Sequence, residues 1–319
     1  MKTTSATAAD LGASVLSVPP LARDAQGVPN KTENRRQVDW LRSGGVTTYL
    51  YGGNANLYNF GVMDFGRLLD MLEEIAPADG WMIPSIGADF GKAADQAAIL
   101  RERAFPTAMV LPLSFPATPA GLASGFAKLA DISGRPLIAY IKNNGFMEAA
   151  DIARLFRDGA ISALKYAVVR PEPKDDPYLA AILEAVGSGE RIVSGIGEHP
   201  AIDHMEMGLT AFTSGSVCVA PHLSTAILKA GREGRFADAR AIRESFLPLE
   251  DLRDAHSPIR VLHEAVRLAG ICDTGPIGDF LTNLDGAERL EAVTKAAREL
   301  KSKCQGAAAA ATPLRSASA

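Results

Sequence analysis

Several things are scarce in this sequence, and each scarcity removes a class of function. Only 6% of the 319 residues are aromatic and the formal net charge is −4. The chain therefore has neither the stacking platform nor the basic surplus with which proteins hold nucleic acids or anionic membranes. Its three cysteines, Cys218, Cys272 and Cys304, are odd in number and far apart, with no zinc-knuckle or CxxC pair, which fits a reducing compartment. No uninterrupted apolar run approaches the roughly 20 residues a membrane helix needs. The first apolar stretch, Leu11 to Leu21, is broken by Gly12 and the Pro19-Pro20 pair and follows a single lysine, Lys2, so it reads as a strand and not as a signal peptide. A cytoplasmic protein with a small-molecule ligand, no nucleic-acid partner and no membrane partner is expected.

What is present is ordinary globular material, 47% apolar and 22% charged, arranged as short β-rich runs alternating with longer amphipathic stretches. Strands are predicted at Ala13–Val18, Thr47–Tyr51, Met82–Ile86, Ala108–Leu111, Leu137–Ile141, Ala163–Val168, Arg191–Ser194 and Ala211–Ser214. Apolar spacings of three and four predict helices between them at Val62–Ile75, Gly91–Glu102, Pro119–Ala130, Met147–Asp158, Pro177–Val186 and Ile202–Met207. Eight βα units close a (β/α)₈ TIM barrel, a fold of about 250 residues. Beyond the eighth strand only helices follow, at Leu223–Glu233, Phe236–His256, Ile259–Gly270 and Ala287–Leu300. The expected organisation is a disordered N-terminus at 1–10, the barrel at 11–222, a C-terminal helical region at 223–300 and a low-complexity tail at 301–319. No solenoid-type repeat is visible.

Lys165 stands in a run from Ile161 to Val169 that is otherwise free of charge, on the sixth predicted strand. Burial disfavours an ammonium and yields the neutral amine that attacks carbonyls. The alternative is a lysine at the strand's mouth that reaches solvent or pairs with an acid. Tyr140, on the fifth predicted strand, lies one βα unit earlier, so both side chains fall at neighbouring strand ends on the C-terminal face where barrel enzymes keep their chemistry. A phenol there can move protons, or it can be a core tyrosine with its hydroxyl at the rim.

A strand-five tyrosine followed by a strand-six lysine resembles the Schiff-base pair of the dihydrodipicolinate synthase and N-acetylneuraminate lyase family. Other pieces fall in the same order: the Ser43 to Gly53 strand and glycine turn, Pro84 to Asp89, Val193 to Gly195, Gly208 to Val219, Ser257 to Ile259 and Gly275 to Asp279. The resemblance runs from about Leu11 to Leu300. It implies a lyase, a class I aldolase that acts through Lys165 on pyruvate or a related 2-oxo acid with Tyr140 moving protons. Gly52, Gly53 and Asn54 would hold the carboxylate, and Ser194, Gly195 and Thr213 would complete the substrate-binding wall. No cofactor and no metal are implied, and a homo-oligomer, dimer or tetramer, is.

The sequence also departs from that family. The turn after strand two should carry hydroxyls, but here it reads Gly52, Gly53, Asn54, Ala55, Asn56, leaving backbone and amide donors; the asparagines can equally serve only as turn formers. No tyrosine occupies 113–115, where the nearest hydroxyl is Ser114, and Lys142 stands where the synthase branch has an arginine. These losses argue against synthesis from pyruvate and aspartate semialdehyde. Tyr51 is a candidate replacement proton donor at the mouth of strand two, its alternative being a packed strand aromatic. The remaining readings are a Schiff-base dehydratase of a 2-keto-3-deoxy sugar acid and a non-catalytic ligand-binding barrel. A metal site built from Glu198, His199, His204 and Glu206 is disfavoured by its spacing, and His199 is open to substrate contact from its loop.

Overall fold

The structure, a computed structural model, describes residues 1–5 and 7–311. Its centre is a parallel sheet of nine short strands: β1 (Leu16–Ser17), β2 (Thr48–Leu50), β3 (Trp81–Ile83), β4 (Ser85–Ile86), β5 (Met109–Val110), β6 (Leu137–Ile141), β7 (Ile161–Tyr166), β8 (Ile192–Ser194) and β9 (Ala211–Ser214). The order is β3-β2-β1-β9-β8-β7-β6-β5-β4. Its two ends, β3 and β4, are consecutive in the chain and separated only by Pro84, which has no N–H to give to a ladder. They are two halves of one barrel position, so eight positions close on themselves as a (β/α)₈ barrel with a C-terminal helical appendage. Among the described residues no helix is long and apolar enough to cross a membrane.

Side-chain alternation along β7 sorts its residues between two faces. Tyr166 stacks obliquely on Tyr178 and edge-on to His204, both in the helix layer, and its hydroxyl donates to Asp176 at 2.6 Å. Leu164 shares that outward face, while Lys165 points the opposite way, into the barrel. Direct pairing of Tyr140 with Lys165, and of Lys165 with Val193, places β6, β7 and β8 in register around it.

The helices begin where capping residues supply acceptors for their first N–H groups: Asn30 before Lys31–Ser43, Asp89 before Phe90–Arg101, Thr118 before Pro119–Ser133 and Asp176 before Pro177–Val186. Two features differ from the periodicity. Lys31–Ser43 has no apolar stripe because Asn34 and Gln37 occupy half of its buried face, where their amides satisfy the carbonyls of Ala22 and Pro20. The predicted Phe236–His256 is two helices, Phe236–Arg243 and Leu247–His256, since Pro248 fits a first helical turn and not an interior.

At the chain ends, the N-terminal residues carry a helix, Ala8–Gly12, closed by a reciprocal Thr7–Asp10 capping box. Lys2 donates its backbone N–H to Gly80 and sets its ammonium 5.9 Å from the Trp81 ring. Ala6 of the predicted N-terminal segment lies outside the described residues. The last helix, Ala287–Ala311, packs on Pro221–Arg232, Leu247–His256 and Pro258–Leu268. It carries the predicted tail as far as Ala311, and positions 312–319 lie outside the described residues.

Leu164 is fully buried against the helix layer. Leu164→Ala should lower stability by about 2–5 kcal/mol through lost burial and the cavity left behind, measured as a shift in the urea midpoint at constant m-value.

Candidate active site

At the C-terminal ends of the strands lies a cavity of about 290 Å³ whose wall includes Tyr140, Lys142 and Lys165 on one side and Gly53, Asn54 and Tyr58 on another. Gly195, Thr213 and Gly215 line it from β8 and β9, and Glu250, Arg253 and Asp254 close it from the helix Leu247–His256. Larger cavities, of about 710 and 690 Å³, lie elsewhere, one around Arg23 and the loop Pro276–Asn283, the other apolar and lined by Phe90, Phe115 and Phe126. Neither contains a buried amine, and barrel chemistry belongs at the strand ends.

Lys165 is 5% exposed, and its Nζ sits 4.2 Å from the centroid of the Tyr140 ring. No acceptor or carboxylate pairs with it among the described residues, so it is neither a solvent-reaching lysine nor half of an ion pair. Burial, reinforced by the charges of Lys142 and Arg253, brings its pKa down to about 7. The Tyr140 phenol is pushed up to about 12 by burial, with Arg253 acting in the opposite sense. An amine that loses its proton near neutrality and a phenol that keeps its own thus share one small cavity.

The glycines around the lysine set its position. Gly195 donates its N–H to Tyr166 O at 2.6 Å. A Cβ there would stand 2.7 Å from Ala167 Cβ, 2.8 Å from Tyr166 O and 3.0 Å from Lys165 Cγ. Asn54 lines the cavity and spends one amide hydrogen on Val18 O at 2.8 Å.

Of the residues expected from sequence, Lys165, Tyr140, Gly53, Asn54, Gly195 and Thr213 meet around the cavity. Three do not. Gly52 lies behind the turn, where a Cβ would run into Met109 Cε at 2.8 Å and Ser85 Oγ at 2.9 Å. Ser194 faces the helix layer, its Oγ 2.8 Å from His204 Nδ1, because alternation along β8 turns it outward. Tyr51 is fully buried and its hydroxyl contacts Asn34 Oδ1 at 3.4 Å; the odd-numbered tyrosines of strand two face the helices, so Tyr51 does not reach the cavity. Ser114 is exposed and accepts from Asn143 at 2.5 Å. The groups weighed as metal ligands are scattered: His199 lies 3.3 Å from Asp251, His204 bonds Ser194, and Glu206 is tied to Arg240.

Tyr58, Glu250 and Arg253 are among the cavity residues that escaped the sequence reading. Tyr58 follows the glycine-asparagine turn on a single 3₁₀ turn, Leu57–Asn59, whose carbonyls accept from Lys92 Nζ; burial raises its phenol pKa, and the neighbouring Tyr140 adds to the rise. Glu250 and Arg253 come from outside the barrel, paired at 2.7 Å, with Glu250 also accepting from Ser216. Behind them Glu198 is wholly buried, accepting from Ser214 and Ser224 at 2.6 Å each. Burial and the nearby Glu250 push Glu198 toward its neutral form.

For this barrel and its rim, the comparisons give the family. The dihydrodipicolinate synthetase family matches residues 85–296, more than half of the chain. The chain belongs to this family, and with it to the class I aldolase-like lyases. Dihydrodipicolinate synthase from Bacillus clausii has the same fold, with TM-score 0.79 at 19% identity over 91% of this chain and 98% of that one. Its counterpart from Oceanobacillus iheyensis gives TM-score 0.80 at 18% identity over 91% and 97%. YagE, a prophage protein of the dihydrodipicolinic acid synthase family from E. coli K12, solved in complex with pyruvate, gives 0.77 at 18% over 90% and 98%. No curated protein matches the chain.

Gly195→Ala forces atoms into the β7–β8 seam against backbone and Lys165. It should cost about 1–3 kcal/mol, read from chemical unfolding, whereas an unchanged midpoint would show that the seam relaxes freely.

Proposed function

We propose that this chain is a Schiff-base-forming lyase that acts on pyruvate or a related 2-oxo acid through Lys165. The observation that carries the proposal is the unpaired amine of Lys165, buried over the Tyr140 ring at the wall of a cavity sized for a small substrate. Neutral Nζ attacks the ketone carbon and the C=O π pair becomes an alkoxide, which takes up a proton to give a carbinolamine. Tyr140 transfers protons as nitrogen loses one and the departing hydroxyl leaves as water. The iminium that results draws electrons from the adjacent carbon, so a C–C bond can be made or broken through the enamine. Gly53 and Asn54 orient the substrate carboxylate through backbone and amide donors. Tyr58 is the second phenol in the cavity and fills the proton-donor role for which Tyr51 is wrongly placed.

The pyruvate held by YagE supports a 2-oxo acid as the substrate class. Lys142 in the wall offers a point charge without an arginine's fork, which favours an acceptor other than the one used in dihydrodipicolinate synthesis.

Turnover against a panel of 2-oxo acids should vanish in Lys165→Ala and fall by about 10²- to 10⁴-fold in Tyr140→Phe; retained turnover in Lys165→Ala would reject the proposal. Because only the neutral amine attacks and burial lowers its pKa, kcat/KM should climb with pH through about 7 and then level off. A flat profile from pH 6 to 8 (roughly one unit either side of that value) would place the ionisation elsewhere.

A further inference from the structure

A 2-oxo acid brings a carboxylate into the cavity beside an amine that must be uncharged to react, so Lys165 cannot be its counter-ion. Two other cations line the wall, Lys142 and Arg253. Lys142 is exposed on the loop after β6. Arg253 is 7% exposed, and most of its guanidinium is already fixed: Nη1 donates to Glu250 Oε1 at 2.7 Å and Nε to Pro258 O at 3.3 Å. Its Nη2 has no acceptor among the described residues, and the residue lines the cavity wall.

The free edge converges with a second donor. Nη2 lies 2.8 Å, and Asn54 Nδ2 2.9 Å, from the point where a Cβ on Gly215 would stand. Gly215 has no such atom, and its bareness lets both groups reach one patch of the cavity wall. Asn54 Nδ2 has one hydrogen committed to Val18 O and one to spare. Glu250 opposes Arg253's charge, so what the pair presents is a set of aimed N–H groups held by an ion pair and not a general positive field. A charge-assisted bond from Nη2, joined by one from the Asn54 amide, suits a carboxylate.

We propose that Arg253 grips the carboxylate of the substrate, with Asn54 as its partner, so that an arginine from the C-terminal helices completes the barrel's acid-binding site. The proposal rests on the cavity binding a 2-oxo acid, and it extends that reading to an anchor outside the barrel strands.

Lactate has the carboxylate but no ketone and cannot form an imine, so its binding reports the anchor independently of Lys165. In isothermal titration calorimetry, lactate should bind the parent protein. Its Kd should weaken by about 10- to 100-fold in Arg253→Met combined with Glu250→Gln, a pairing that leaves no orphaned carboxylate. Arg253→Lys, which keeps a counter-ion for Glu250 and loses the free Nη2 donor, should fall between and serves as the test if the double variant does not fold. An unchanged Kd in a folded variant, or no lactate binding to the parent, overturns the proposal. Failure of imine chemistry shows separately, as turnover retained in Lys165→Ala, while the lactate titration still decides on Arg253.

Discussion

An ammonium with no counter-ion among the described residues, enclosed by a sheet, is the constraint around which this structure is organised. Lys165 has lost its water and, among the described residues, gained the face of Tyr140, 4.2 Å away. A cation over an aromatic ring returns about 0.5–2 kcal/mol. Its fall in pKa from 10.5 to about 7 corresponds to on the order of 5 kcal/mol of preference for the neutral form. The ring does not offset the burial, so the site keeps the lysine by letting it shed its proton. The same burial that would be a defect in a structural strand becomes an asset in the proposed chemistry, because it supplies a nucleophile near neutral pH.

Keeping that lysine in place requires the whole ring. The β6–β7–β8 register puts Tyr140 and Val193 on either side of it. Gly195 lets the chain after β8 pass against its stem, and closure through Pro84 removes the sheet edges that would otherwise admit water and partners. The helix Leu247–His256 then covers the mouth and brings Glu250 and Arg253 to the cavity. The C-terminal helices therefore shape the site directly and do not merely pack against the barrel.

Much of this was legible in the sequence. The strand at Leu137–Ile141 and the helices at Val62–Ile75 and Pro177–Val186 fall where their periodicities put them, since each buries an apolar face, and Ala211–Ser214 also has the expected bounds. Lys165 stood out because a charge in an apolar run is conspicuous. Lys31–Ser43 was invisible because Asn34 and Gln37 take core positions that apolar residues usually mark. Tyr51 was placed on the wrong side because alternation fixes two faces but not which of them is inward. Arg253 could not be found at all: in an amphipathic helix a charged residue reads as solvent-facing, and only the docking of that helix on the barrel mouth makes it interior.

The central claim, that Lys165 is a carbonyl-attacking amine, is tested most directly by borohydride reduction in the presence of pyruvate, followed by peptide mass spectrometry. A reduced pyruvyl adduct on Lys165, formed more readily as the pH is raised through 7, is the result expected. Folded protein that forms no adduct at Lys165 with pyruvate or with longer 2-oxo acids would contradict the account.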